Sequence, residues 1–278
     1  MRAMRVPIPG GALDLRRTLV MGVLNVTPDS FSDGGRFATP RAAVAHGVRM
    51  AQAGADIIDV GGESTRPGAA PVAPDAEIER VVPVVRVLAR RGIVVSIDTS
   101  KAAVAAEAIR AGATVLNDVT ALAGDGMAEL AARMRVAVIL MHMKGTPRTM
   151  RKSARYRDVV REVKAFLRRA VERAVRAGVA RERILVDPGI GFGKRPAHNL
   201  EILRRLGEFA SLGRPIVVGT SRKSFIGHFL GRPVDGRLHG TSATVAAAVL
   251  RGAAVVRVHD VEAMMDVVRM TDLLRERP

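Results

Sequence analysis

Ile93-Val94-Val95-Ser96-Ile97 runs into Asp98-Thr99-Ser100-Lys101; after an alanine-rich stretch closed by Ala111-Gly112-Ala113, a second run, Thr114-Val115-Leu116, ends in Asn117-Asp118. Neither run alternates polar with apolar residues along its length. Runs of this kind mark parallel strands covered on both faces. A glycine between alanines suits a helix exit, so the unit reads as strand, helix, strand, with polar residues gathered where each strand stops.

The same unit repeats along the chain. Comparable runs occur at Leu19 to Leu24, Ile57 to Val60, Val136 to Leu140, Ile184 to Val186, Ile216 to Val218 and Val255 to Val258, which brings the total to eight. Amphipathic stretches lie between them, such as Val159, Val163, Phe166, Leu167, Ala170, Val171 and Ala174 opposite a row of Arg and Glu. Eight βα units predict an α/β fold, a single-domain (β/α)8 TIM barrel spanning residues 1–278, with 1–17 a short lead-in. A doubly wound sheet is the alternative, but no GxGxxG turn follows the first strand. Active sites of such barrels are built from the loops after the strands. The polar, Gly- and Pro-rich segments sit there: NVTPDSFSDGG from Asn25, DVGGESTRPGA from Asp59, DTSK from Asp98, MHMKGTP from Met141, DPGIGFGK from Asp187, GTSRKS from Gly219 and RVHD from Arg257.

Composition narrows the chemistry. With 278 residues, 48% of them apolar, the chain is long enough for a large core, and with no cysteine it has no thiolate, disulfide or cysteine-held metal. The formal charge is +17, yet only six of the 44 basic residues are lysine (Lys101, Lys144, Lys152, Lys164, Lys194 and Lys223). In so Arg-biased a chain, each surviving lysine draws notice. Residues 148–183 hold 13 basic and 4 acidic residues, but as the outer face of an amphipathic helix with little aromatic interleaving they do not point to a nucleic acid partner. No apolar run is long enough to span a membrane. Nothing near Met1 to Arg17 has the apolar region of an export signal, so the expected location is cytoplasmic.

Together the segments NVTPDSFSDGG, GGESTRPGA, MHM-x-GTP, DPGIGFGK and SRKSFIG, in this order and spacing, resemble the dihydropteroate synthase family from about Leu19 to the last helix. The one small departure is Arg195, where Thr or Asn is expected before a helix. The resemblance implies a transferase of folate biosynthesis. Such an enzyme joins 6-hydroxymethyl-7,8-dihydropterin diphosphate to 4-aminobenzoate, releasing diphosphate.

The residues allow this chemistry. Asp98, Asn117 and Asp187 end buried strands, where one carboxylate matches the two adjacent donors of a pterin edge and an amide supplies a donor and an acceptor. Taken singly, each could equally be a helix cap. The resemblance assigns these three to the pterin, with Lys223, Thr65, Gly219 and Met141. It assigns Asn25, Arg257 and His259 to the diphosphate, with Mg²⁺ on Asn25 and Asp33 reaching the metal only when its loop closes. Arg257 and His259 alternate about Val258, so both face one side, and as mere barrel filling they would be buried without partners. Thr65, Arg66, Pro67, Phe31, Phe192, Ser221 and Arg222 are implied on the 4-aminobenzoate side, on loops at 27–36 and 61–72 that close as lids. His142 in MHM allows a catalytic reading, but a packed strand residue with satisfied hydrogen bonds is preferred. Diphosphate is a good leaving group and the pterin can carry positive charge, so an SN1-like substitution without an obligatory general base is expected. A pterin-binding methyltransferase on the same barrel is the rival, without need of an anion clamp. The stretch from Thr241 carries no charge before Arg251, and the last helix bears Met264, Met265, Val268 and Leu273, a composition that with the resemblance implies a homodimer through these two helices.

Overall fold

Pro9-Gly10 turns the chain at its start, Gly10 at φ +77°, the left-handed position a Pro-Gly turn requires. It joins β1 (Arg5–Ile8) to β2 (Gly11–Asp14) in an antiparallel hairpin, Ile8 opposite Gly11. The structure is a computed structural model that describes residues 5–27, 39–65 and 68–275.

Eight parallel strands follow: β3 (Leu19–Asn25), β4 (Ile57–Gly61), β5 (Val95–Asp98), β6 (Val115–Asp118), β7 (Ala137–Met141), β8 (Ile184–Asp187), β9 (Ile216–Val218) and β10 (Ala253–Val258). They close in the order β10-β3-β4-β5-β6-β7-β8-β9. The expected barrel is therefore present, and most strands take in the polar residue at the end of the run. Around it lie α1 (Pro40–Gln52), α2 (Pro74–Arg90), α3 (Ala102–Arg110), α4 (Met127–Met134), a short α5 (Met150–Ser153), α6 (Val159–Arg176), α7 (Pro196–Arg204), α8 (Ser224–Leu230), α9 (Leu238–Leu250) and α10 (Val261–Leu274). Local chemistry starts several of them: Thr39 caps α1 by accepting the Ala42 N–H at 3.2 Å, Asp158 caps α6 through Arg161 N–H at 3.0 Å, and Pro stands in the first turn of α1, α2 and α7. At Arg195, the departure noted above, the backbone N–H is satisfied by His198 Nδ1 at 3.2 Å.

Alternation along the strands sorts the core into two parts. Leu24, Ile58, Val60, Ile97, Leu116, Val138 and Val186 point outward and pack under the helices. Met21, Ile57, Val115, Ile139, Leu185, Val217 and Val255 point inward and form a separate cluster with Val6, Ile8 and Leu13 of the hairpin. Within the lead-in, residues 5–14 thus have a structural role of their own. The hairpin plugs the N-terminal end of the barrel, and Arg183, just before β8, ties it down by donating to Pro7 O at 2.9 Å. It escapes a sequence reading because four-residue strands flanked by Pro and Gly carry little periodicity.

Leu13 is buried in that plug, 5% exposed. Replacing it (Leu13→Ala) is expected to lower stability by about 2–5 kcal/mol, the range for a buried leucine truncation. Urea unfolding of the wild type and the variant measures the difference.

Candidate active site

Inward parity carries past the apolar layers to the C-terminal ends of the strands. There Asn25 pairs in register with Gly61, Gly61 with Asp98 and Asp98 with Asn117; Met141 pairs with Asp187 across β7 and β8. With Gly219, just after β9, and Arg257, these form the lining of the barrel mouth. Gly61 and Gly219 keep it open: a Cβ on Gly61 would sit 3.6 Å from Asp98 Cβ and 3.8 Å from Asn25 Oδ1, and one on Gly219 would meet Arg257 Cβ at 3.6 Å. Asp118 faces the other way and serves structure, accepting the backbone N–H of Thr120 at 2.7 Å and of Leu122 at 2.8 Å.

An ionic network organises one side of the mouth. Arg257 donates from Nε to Asp59 Oδ2 at 2.6 Å and from Nη2 to Asp98 Oδ2 at 2.7 Å; Asn117 Nδ2 donates to the same Asp59 oxygen at 3.0 Å. That last bond aims the Asn117 amide. Burial pushes Asp98 up to about 7, against the pull of Arg257. Burial also opposes the charge of Arg257, but Asp59 and Asp98 hold the guanidinium above its ordinary value. An Arg/His pair at the end of the last strand is therefore not without partners, contrary to the sequence argument. Arg257 binds two carboxylates, and His259 meets Ser221, whose Oγ lies 3.0 Å from Nδ1 and accepts the His259 N–H at 3.1 Å. The sequence reading places Asp59 at the end of its run but gives it no role in the site; sharing the parity of Ile57 and Gly61, it must face inward once the barrel is accepted.

Across the mouth, Asp187 Oδ1 accepts the Gly189 N–H at 2.6 Å, so the turn-forming role and an inward carboxylate coexist in one residue. Burial raises its pKa, with Lys223 the main opposing charge. Lys223 is pulled down by burial to about 8, against Asp187. Its Nζ donates to Ile190 O and lies 4.5 Å from the centroid of the Phe192 ring. Arg222, at φ +56°, already has a carboxylate partner in Asp260, with Nε to Oδ2 at 2.9 Å. Beneath the loop, Lys194 is buried and donates to Gly189 O at 2.7 Å, to Phe192 O at 2.9 Å and to His142 Nδ1 at 2.9 Å. Burial, with Lys194 beside it, pushes His142 down to about 2, so it is a neutral packed residue edge-on to Phe166.

Thr65 lies half-buried four residues beyond β4. Phe31, Asp33, Arg66 and Pro67 fall outside the described residues. Among the described residues no group of three His, Cys, Asp or Glu is placed to hold a metal, and no helix is long and apolar enough to cross a membrane.

The profile of a family described as pterin binding enzyme matches residues 21–259. The dihydropteroate synthase of Escherichia coli K12 is 46% identical over 270 residues, 97% of this chain and 96% of that protein. Among solved structures, Yersinia pestis dihydropteroate synthase in a sulfonamide drug complex superposes with TM-score 0.95 at 45% identity, over 98% of this chain and 99% of that one. Xanthomonas albilineans dihydropteroate synthase with 4-aminobenzoic acid superposes with TM-score 0.92 at 44% identity, over 99% and 100%. With a barrel mouth of this make-up and relatives alike over nearly their whole length, the chain belongs to the pterin-binding enzyme family, among the dihydropteroate synthases.

Proposed function

We propose that this chain is a transferase that joins 6-hydroxymethyl-7,8-dihydropterin diphosphate to 4-aminobenzoate, giving 7,8-dihydropteroate and diphosphate. The observation that carries this is the inward ring of Asp98, Asn117, Asp187 and Lys223. Two carboxylates, an amide and an ammonium match the donor and acceptor edge of a pterin. Asp98 uses one oxygen on Arg257 and Asp187 one on Gly189, and the second oxygen of each serves the ring. Because Asn117 Nδ2 is held by Asp59, its carbonyl is the end offered to the ligand. Met141, Thr65 and Gly219 shape the pterin slot.

The reaction follows from where charge sits. The bond from the pterin methylene to diphosphate oxygen breaks with its electron pair leaving on diphosphate, and the positive charge left behind spreads into the ring. Asp98 and Asp187 favour that charge electrostatically. The amine of 4-aminobenzoate then forms the new C–N bond and loses its proton to solvent or to the departing diphosphate. Arg257, through the guanidinium nitrogen that meets neither carboxylate, acts with His259 and Asn25 on the diphosphate. Ser221, Arg222, Phe192 and Thr65, with Arg66, Pro67 and Phe31, form the 4-aminobenzoate side, where a sulfonamide would compete. Magnesium fits as an ion delivered with the diphosphate rather than caged by protein, since Asn25 offers a neutral oxygen at the mouth and Mg²⁺ commonly takes most of its ligands from phosphates and water. When bound there, with Asp33 as a second contact, it would neutralise the leaving group.

Two features of the setting complete the reading. Leu250 on α9 and Met270 and Leu273 on α10 are 49%, 58% and 83% exposed, an apolar face suited to a homodimer through these two helices. A cytoplasmic location goes with the reaction: a polyanionic ester does not cross a bilayer, so the enzyme shares the compartment in which its substrate is made.

Diphosphate release should require both substrates. Asp187→Ala is expected to cut it by about 100-fold or more, the loss of a charged hydrogen-bond partner, with a native circular dichroism spectrum; undiminished turnover would refute the pocket. Asp98 sets a pH dependence. Its folded value of about 7 means the carboxylate is protonated, and stops accepting from the pterin, as pH falls through 7. Calorimetric affinity for a pterin lacking phosphate should therefore weaken from pH 8 to pH 6, and Asp98→Asn should bind weakly with no such slope. Light scattering at micromolar concentration should give twice the monomer mass.

A further inference from the structure

A second ionic cluster lies outside the mouth, and the reaction above does not use it. Lys101 Nζ donates to Glu63 Oε2 and to Glu77 Oε2, each at 2.5 Å. Glu77 is wholly buried, and its Oε1 has no hydrogen-bond partner; Lys101 and Glu63 are about four-fifths buried. Two carboxylates on one ammonium is a costly arrangement away from water, and apolar residues of similar volume often serve stability as well. Its geometry suggests another purpose.

The three residues come from three elements. Glu63 is two residues beyond β4, Glu77 lies in the first turn of α2, and Lys101 stands immediately before α3, three residues after Asp98. The Glu63 oxygen that meets Lys101 also accepts the Val72 N–H at 2.7 Å. One carboxylate thus draws together both ends of the segment from 63 to 72, and the lysine anchors that neck to the strand end bearing Asp98. The neighbouring backbone is fixed as well. Arg80 donates to Gly62 O at 3.0 Å, and a Cβ on Gly62 would lie 2.7 Å from Val81 Cγ1 and 2.8 Å from Glu77 Cγ, so Gly62 rests directly on α2. On its other flank the Gly68 N–H reaches Pro147 O at 3.1 Å. Lysine suits the post: a compact ammonium with three rotatable donors meets carboxylates from two directions, which a planar guanidinium does not. That accounts for one of the few lysines in an Arg-rich chain.

We propose that Lys101 and Glu63 are positioning residues for 4-aminobenzoate: their ion pair holds the neck of the loop carrying Thr65 at a fixed reach from the pterin end of the site. This rests on the reaction proposed above. Neither residue touches the reacting atoms, and the pterin side chains on β5, β6 and β8 are held independently of them.

The test is steady-state kinetics of wild type and Glu63→Gln, each substrate varied in turn, with thermal melting of both proteins. Gln keeps the shape and leaves the buried Lys101–Glu77 pair intact, so the variant is expected to melt within a few degrees of wild type. Its KM for 4-aminobenzoate should rise about tenfold, the size of one charge-assisted hydrogen bond, while its KM for the pterin diphosphate, which meets Thr65 as one contact among several, rises by less, about threefold at most. An unchanged KM for 4-aminobenzoate, an equal rise in both KM values, or a fall in kcat alone would overturn the positioning role and leave the reaction standing. Absence of turnover in the wild type would instead remove the reaction, and this role with it.

Discussion

One guanidinium makes the barrel mouth possible. Asp59 and Asp98 both point into a space bounded by apolar layers, where carboxylates are costly to bury without a partner. Arg257 reaches them from β10, 198 residues along the chain from Asp59, and binds one with Nε and the other with Nη2. The same Asp59 oxygen fixes the Asn117 amide. The pair therefore does more than cancel charge: it decides which oxygen of Asp98 and which end of Asn117 remain for a ligand. Arg257 draws the Asp98 pKa down, yet burial still leaves it at about 7.

Strand alternation explains why this machinery sits at one end. Inward positions are mostly apolar from the hairpin upward, Asp59 and Ser96 being polar one step below the strand ends, so stability and chemistry are largely separated along the barrel axis. At the lower end β1 and β2 close the interior with Val6, Ile8 and Leu13. At the upper end the glycines at 61 and 219 leave room where a side chain would fill the mouth. The ion pair of Lys101 with Glu63 and Glu77 belongs to the same division of labour, lying behind the lining and securing a loop rather than contributing to it.

The charge that dominates the composition is mostly remote from this chemistry. On α6 a buried apolar stripe faces the barrel and Arg161, Arg168, Arg169 and Arg176 face outward, as the periodicity predicts, while Arg173 turns in to donate to Ala121 O at 2.7 Å. Three cations at this end of the barrel are already engaged: Arg257 with two aspartates, Arg222 with Asp260, Lys223 with the Ile190 carbonyl beside Phe192. A buried cation with its partners in place needs no reorganisation when an anion arrives, whereas a surface arginine does.

Eight apolar runs separated by amphipathic stretches were enough for the barrel, because burial on both faces of a parallel strand is written into local composition. The strand-end residues Asn25, Asp98, Asn117 and Asp187 were legible for the same reason: polar groups following such runs can only lie at the mouth. The role of Asp59 was not, since its inward parity has meaning only after the barrel closes, nor was the hairpin plug, whose short strands carry no period. Nor could sequence separation reveal that Arg257 and Asp59 meet, that Asp260 is the partner of Arg222, or that Lys101 binds Glu63 and Glu77. Those pairings depend on distances across a closed surface, and closure is a property of all eight strands together.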